Sequence, residues 1–203
     1  MFLFKRKVRI ETERLILRAP SQNDFKSWAK LRYESQKFLK PWDPTWAKDH
    51  LTRKAFSHRV YWSQKSINEG LAYPMMLFYK SDNALLGAIT LDNIRRGPSQ
   101  VGTLGYWMGQ KYARQGFMGE AILGMVRYAF SNLDLSRIES ACLPENIASR
   151  GVLEKSGFKY EGVAQPISRS MDAGAHMSCM RRCVMTDAAK LTLVNNRTKR
   201  HLF

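Results

Sequence analysis

Residues 112 to 121 lie between an apolar run and an amphipathic stretch, and they carry Gly116 and Gly119 in a turn that opens a helix. A strand that ends in such a turn delivers several unpaired backbone N–H groups to one point, at the positive end of a helix dipole. That is the local chemistry for holding a phosphate or diphosphate, and a glycine lets the anion come close to the backbone. On its own a Gly-x-x-Gly turn also serves as a plain tight connection. The surrounding chain has to supply the rest of the argument.

The pattern upstream is largely antiparallel. Arg14 to Arg18 reads as a strand, with Leu15 and Leu17 on one face. Ser21 can cap a helix that carries Phe25, Trp28 and Leu31, and a Pro-rich aromatic loop runs from Phe38 to Pro44. A longer helix is expected from about Asp49 to Glu69, stopped by Gly70. Met75 to Tyr79 and Leu85 to Leu91 read as a hairpin, and after the basic turn 95 to 98 a further strand covers Thr103 to Met108.

Downstream the pattern alternates. A helix is expected from about Phe117 to Ser131, with Ala121, Met125, Tyr128 and Ala129 inward. Then come a strand over Ile138 to Leu143, a short helix over Ile147 to Ser156 ended by Gly157, a strand over Phe158 to Val163, and a last strand over His176 to Met185. Antiparallel strands followed by strand–helix–strand–helix–strand predict a mixed α/β sheet with helices on both faces. The anion-binding turn falls at the carboxyl end of a central strand, the usual ligand position in such sheets.

At 203 residues, 44% hydrophobic and 25% charged, the chain suits one globular domain over residues 1 to 186, followed by a basic tail over 187 to 203. No apolar run is long enough for a membrane helix, and the start places its charges after its short apolar stretch, the wrong order for a secretory signal. Cys142, Cys179 and Cys183 form no Cys-x-x-Cys pair and read as reduced thiols of a cytoplasmic protein. His50, His58, His176 and His201 lack metal-ligand spacing, so no metal is expected. The formal charge of +16 favours polyanionic partners, a nucleotide cofactor or RNA, although it also suits a plain solubility surface.

A second motif lies about thirty residues past the turn. Asn146 and Ser149 are spaced so that an amide and a hydroxyl face one ligand, or so that they simply cap a helix start. Together, the Arg114 to Gly119 turn and the Asn146 to Phe158 stretch resemble the GNAT superfamily of acetyl-CoA-dependent N-acetyltransferases, over residues 8 to 186. Within it, the stretches Phe38 to Pro44, Asn93 to Gly97 and Leu104 to Lys111 are similar to the RimJ/RimL branch, more to the RimJ side. That branch acetylates the amino-terminal residue, alanine for RimJ, of ribosomal proteins.

The resemblance implies a mixed, mostly antiparallel sheet of about six or seven strands, splayed in the middle. It implies that Met108 pairs with the pantetheine arm and that the N–H groups of Arg114, Gln115, Gly116, Phe117, Met118 and Gly119 receive the diphosphate of acetyl-CoA. Asn146 would bond the pantetheine, the Tyr106 N–H would face the thioester carbonyl, and Ser149 would act as general acid toward the departing thiolate. Ala113 stands where the family usually has Gln or Arg, a change that main-chain contacts tolerate, and Arg114 can add a charge contact to phosphate.

Thr103 stands where RimL-like relatives carry a glutamate and cannot serve as a base; Asp92, Glu139 and Glu145 are the acidic residues near it, and none is assigned. Trp42, Arg95 and Arg96 are candidates for the acceptor side, set against a core anchor and a solvated hairpin tip. The leading expectation is transfer of an acetyl group to the N-terminal amine of a ribosomal protein, with ribosomal RNA meeting the basic surface. The alternatives are a small-molecule amine acetyltransferase and an RNA- or ribosome-associated protein that keeps the cleft without catalysis.

Overall fold

The protein is described by a computed structural model covering residues 8–164 and 180–186. The chain forms β1 (Arg9–Glu11), β2 (Leu15–Arg18), α1 (Phe25–Glu34), the single-turn α2 (Gln36–Leu39), α3 (Arg53–Glu69), β3 (Tyr73–Tyr79), β4 (Leu85–Arg95), β5 (Val101–Met108), α4 (Phe117–Asn132), β6 (Arg137–Cys142), α5 (Ile147–Lys155), β7 (Lys159–Ala164) and β8 (Met180–Thr186). All eight strands belong to one sheet in the order β1-β2-β3-β4-β5-β6-β8-β7. Every neighbouring pair is antiparallel except β5 and β6.

The expected mixed sheet is present, with β1 as an additional strand that takes the count to eight among the described residues. Three residues bearing one buried side chain, Ile10, carry too little pattern to read as a strand; pairing with β2 makes it one. Helix α3 starts at Arg53 rather than near Asp49. Thr52 is its N-cap, accepting a hydrogen bond from the Ala55 N–H at 3.2 Å, and the preceding residues belong to the loop. Gly70 ends that helix in the left-handed conformation, φ 71°, as expected. Strand β4 runs on to Arg95, so that arginine is a strand residue with a register shift beside it rather than a turn residue. The final strand is seen from Met180; His176 to Cys179, and the tail from Asp187, lie outside the described residues.

Alternation along β4 and β5 divides the molecule into two apolar layers. Leu86, Ile89, Leu91, Leu104 and Met108 pack with Ala121, Ile122 and Met125 of α4. On the opposite face, Leu85, Phe78 and Met76 pack with Trp28 and Leu31 of α1 and Phe56 and Val60 of α3. Each fully buried aliphatic side chain of this kind contributes about 1.5–3 kcal/mol relative to exposure. The expected inward face of α4 is right for Ala121, Met125 and Ala129, whereas Tyr128 is half-buried at its margin. Cys142 is buried, as expected.

Candidate active site

The sheet opens where β5 meets β6. These parallel strands pair only at Val101 with Arg137, Gly102 with Ile138 and Thr103 with Glu139. Beyond that rung β5 stays on β4 as far as Met108, while β6 stays on β8. The Ser140 hydroxyl donates to the Leu104 carbonyl at 2.9 Å, just past the last rung. On the other edge of β5 the Gly109 N–H donates to the Leu86 carbonyl at 2.8 Å. Because successive residues of a strand turn their N–H and C=O to alternate sides, Tyr106 and Met108 point theirs into the fork.

The turn beyond β5 rises from the same end of the fork. Arg114 and Gly116 are both left-handed, φ 61° and 81°, and Gly116 is the residue before α4. A side chain at Gly116 is strained by that φ. At Gly119 an added Cβ would meet only Val152 and Ser156 at ordinary contact distance, 3.7 and 3.9 Å. Among the described residues no protein acceptor meets the backbone N–H groups of 114 to 119; the first bonded amide of the helix is that of Glu120, to the Gly116 carbonyl. A row of unpaired donors at a helix N-terminus is what an anion requires.

The turn is held from the corner between β1 and β2. The Arg14 N–H and Nε donate to the two oxygens of Glu120, each at 2.7 Å, the Thr12 hydroxyl donates to the same carboxylate at 2.5 Å, and Arg14 Nη1 donates to the Gln115 carbonyl at 3.2 Å. Burial pushes the Glu120 carboxyl up, but the bonds from Thr12 and Arg14 outweigh it and leave it below 4.5. Sequence reading missed this group. Thr12 and Arg14 lie more than a hundred positions from Glu120, and no local pattern links them.

Across the fork, Asn146 and Ser149 sit at the start of α5. Asn146 is the N-cap, and its side-chain oxygen accepts from the Ser149 N–H at 3.0 Å, so the capping role foreseen for it is real and its amide nitrogen remains a donor. The Ser149 hydroxyl is 2.8 Å from the Tyr106 hydroxyl. Tyr106 was expected to matter through its backbone; its side chain also bridges the fork. Burial pushes the Tyr106 phenol above its ordinary 10.0, and the bond with Ser149 offsets only part of that. The phenol is therefore neutral throughout the physiological range.

At the last rung before the fork, Asp92 of β4, Thr103 of β5 and Glu139 of β6 lie side by side on the sheet face opposite α4. Glu139 is taken up by Arg137, Nε to Oε1 at 2.9 Å, with Arg95 at 4.0 Å. Asp92 makes no ion pair among the described residues, and its hydrogen bond comes from the Asn93 amide at 3.2 Å. Burial holds its carboxyl above 3.8. Glu145 is exposed.

On that same face, the loop after α2 frames an open cavity of about 560 Å³ lined by Lys40, Asp43, Trp46, Lys48 and His50. Arg32 anchors it: buried, 2.6 Å from Asp43, with its guanidinium between the rings of Trp46 (4.4 Å) and Trp107 of β5 (4.7 Å). Burial, then the charges of Arg32 and Arg59, keep His50 below 6.5, so its Nε2 can accept from Arg32 at 3.2 Å. The inward aromatic of this loop is Trp46; Trp42 is 41% exposed and is not a core anchor. Arg95 is exposed at the end of β4, and Arg96 donates to the Leu133 carbonyl and to Gln100 at 3.2 Å, which ties down the connection between α4 and β6.

A forked sheet with unpaired amides at one end and a hydroxyl pair across the gap is a specific arrangement, and residues 14–159 match the family described as the Acetyltransferase (GNAT) domain. The chain belongs to the GNAT acetyltransferases. It is 31% identical over 159 residues, 78% of its length and 82% of the relative, to the [ribosomal protein uS5]-alanine N-acetyltransferase of Escherichia coli. It is 34% identical over 135 residues, 66% of its length and 75% of the relative, to the probable N-acetyltransferase YjcK of Bacillus subtilis. Among solved structures, Mycobacterium smegmatis RimJ in complex with CoA-disulfide superposes with a TM-score of 0.79 at 21% identity, covering 96% of this GNAT chain and 97% of its own, a likeness of fold. This GNAT enzyme is thus an acetyltransferase. No helix among its described residues is long and apolar enough to cross a membrane, and no group of metal-ligating side chains is found among them.

Proposed function

We propose that the chain transfers an acetyl group from acetyl-CoA to the N-terminal amine of a ribosomal protein, by direct attack within a ternary complex. The observation that carries this reading is the row of unpaired amides from Arg114 to Gly119 beside the open fork. Those amides suit the diphosphate, the main chain of Met108 suits the pantetheine amides in place of a missing strand, and the Asn146 amide suits a pantetheine carbonyl. The Tyr106 N–H, turned into the fork, would hold the developing oxyanion.

An α-amino group titrates near pH ~8, so part of the acceptor is already neutral at pH 7 and positioning supplies most of the rate. When the nitrogen attacks the thioester carbon, the C–S bond breaks and the nitrogen gives up a proton. Asp92, the carboxylate at the mouth of the fork without an arginine partner among the described residues, takes that proton through a water. Ser149, held by the Tyr106 phenol, donates a hydrogen bond to the departing sulfur. The phenol holds its proton too tightly to surrender it fully to a thiolate of pKa ~8.5, so the pair steadies the sulfur until solvent protonates it.

The acceptor would approach from the α1 and α3 face, past the Trp42 loop, the Arg32–Trp46–His50 cavity and Arg95 and Arg96. The +16 charge would draw ribosomal RNA through salt-sensitive contacts. Mass spectrometry of ribosomal proteins from cells with and without this gene tests the proposal. Loss of one N-terminal acetyl group is the expected outcome; an unchanged set of ribosomal proteins, with acetyl-CoA turnover on small amines, would transfer the activity to the small-molecule class.

A further inference from the structure

Arg14 does more than brace the turn. Its guanidinium carbon lies 4.4 Å from the centre of the Phe117 ring, and Nη1 is bonded to the Gln115 carbonyl. Nη2 lies 3.4 Å from where a Cβ on Gly116 would stand. The side chain therefore lies along residues 115, 116 and 117, three of the six whose amides line the anion site. It is 38% exposed, and Nη2 has no protein acceptor among the described residues. A planar guanidinium with one edge occupied and a donor left over at an anion site is arranged to bind phosphate.

Glu120 lies beside this guanidinium. A carboxylate in the first turn of α4 is favourable for the empty helix, yet it stands one turn from the amides that must accept a diphosphate. Uncompensated, its charge repels that ligand. The bonds from Arg14 to both its oxygens cancel the charge and aim the guanidinium at the turn.

We propose that Arg14 is a further residue of the coenzyme A site: it donates Nη2 to a phosphate oxygen and neutralises Glu120, so that the turn presents a net positive face to the ligand. This rests on the reading that the turn takes the diphosphate of coenzyme A. The alternative is a mechanical brace, and the two differ in sign.

Isothermal titration calorimetry with coenzyme A decides between them. Arg14→Met is expected to weaken binding about ten- to hundredfold, the worth of a charge-assisted bond. Arg14→Lys should fall between Arg14→Met and wild type. Glu120→Gln, which keeps an acceptor for Arg14 but removes the negative charge, should bind as tightly as wild type or tighter. A brace predicts instead that Glu120→Gln and Arg14→Met weaken binding together, and that result overturns the proposal, as does Arg14→Met binding within twofold of wild type. Should Arg14→Met fail to fold, the direction of the Glu120→Gln change decides alone. Wild type that binds no coenzyme A would overturn the underlying reading itself, an outcome distinct from the others.

Discussion

At the scale of single residues, the proposed roles separate binding from turnover. Gly116 lies in the turn proposed to hold the diphosphate, and its φ of 81° strains any side chain. Gly116→Arg should abolish coenzyme A binding in calorimetry. Ser149→Ala removes only a hydroxyl partner of Tyr106, so kcat should fall about ten- to a hundredfold while coenzyme A affinity stays within a few-fold. Equal losses of affinity in both variants would contradict this division of labour. Asp92 can be probed through pH. Its carboxyl is raised by burial, so wild-type kcat should fall as pH drops through that raised value and the carboxylate is protonated. Asp92→Asn should lose about 10²–10⁴ in kcat and also lose that acid limb in a pH–rate profile. A variant that kept the wild-type profile would remove Asp92 from the mechanism.

At the scale of elements, α4 is held by an apolar stripe and α3 also by a capped start. Ile122 of α4 is completely buried against the sheet, and its truncation to Ala should cost about 2–5 kcal/mol by denaturant unfolding, because the rigid layers around it only partly close the cavity. Thr52, the cap of α3, lies on the opposite face, and Thr52→Ala should cost about 1 kcal/mol in the same measurement. The two sites are in separate packing layers, so a double variant should show the sum of the two losses. The fork is an element of a different kind. Beyond Thr103, β5 continues to pair with β4 and β6 with β8, but the two no longer pair with each other.

At the scale of the whole molecule, charge governs. With 33 basic and 17 acidic side chains, the protein holds its surplus in check partly through carboxylates tied to arginines. Asp24, raised by burial but lowered further by Arg18 and Ser21, and Glu120 both lie below their ordinary values of 3.8 and 4.5 in the folded state. Their contribution is therefore complete above those values and is lost as pH falls through the lower, folded ones. The melting temperature should drop on acidification from pH 5 to pH 2, with added salt recovering part of the loss by screening the growing positive charge. A melting temperature that held steady over that range would show these pairs to be energetically idle.

What the chain declared locally was its punctuation. The glycine turn ahead of α4, the stop at Gly70, the cap at Asn146 and the alternation along β4 and β5 each depend on residues within a few positions of one another, and each was legible. The proposed roles of Met108, Asn146 and the amides of 114 to 119 come instead from the resemblance to the GNAT superfamily that this punctuation carries. The tertiary structure decided what depends on distant partners. Tyr106 meets Ser149 across 43 positions, and Arg14 meets Glu120 across 106. Trp46 rather than Trp42 turns inward because Arg32 and His50 receive its ring. Asp92 stands apart from Glu139 as an available carboxylate only because folding gives Glu139 its arginines. Local backbone preference is written in short stretches of chain, whereas the charge and hydrogen-bond environment of a site is made by segments that meet only after the sheet has formed.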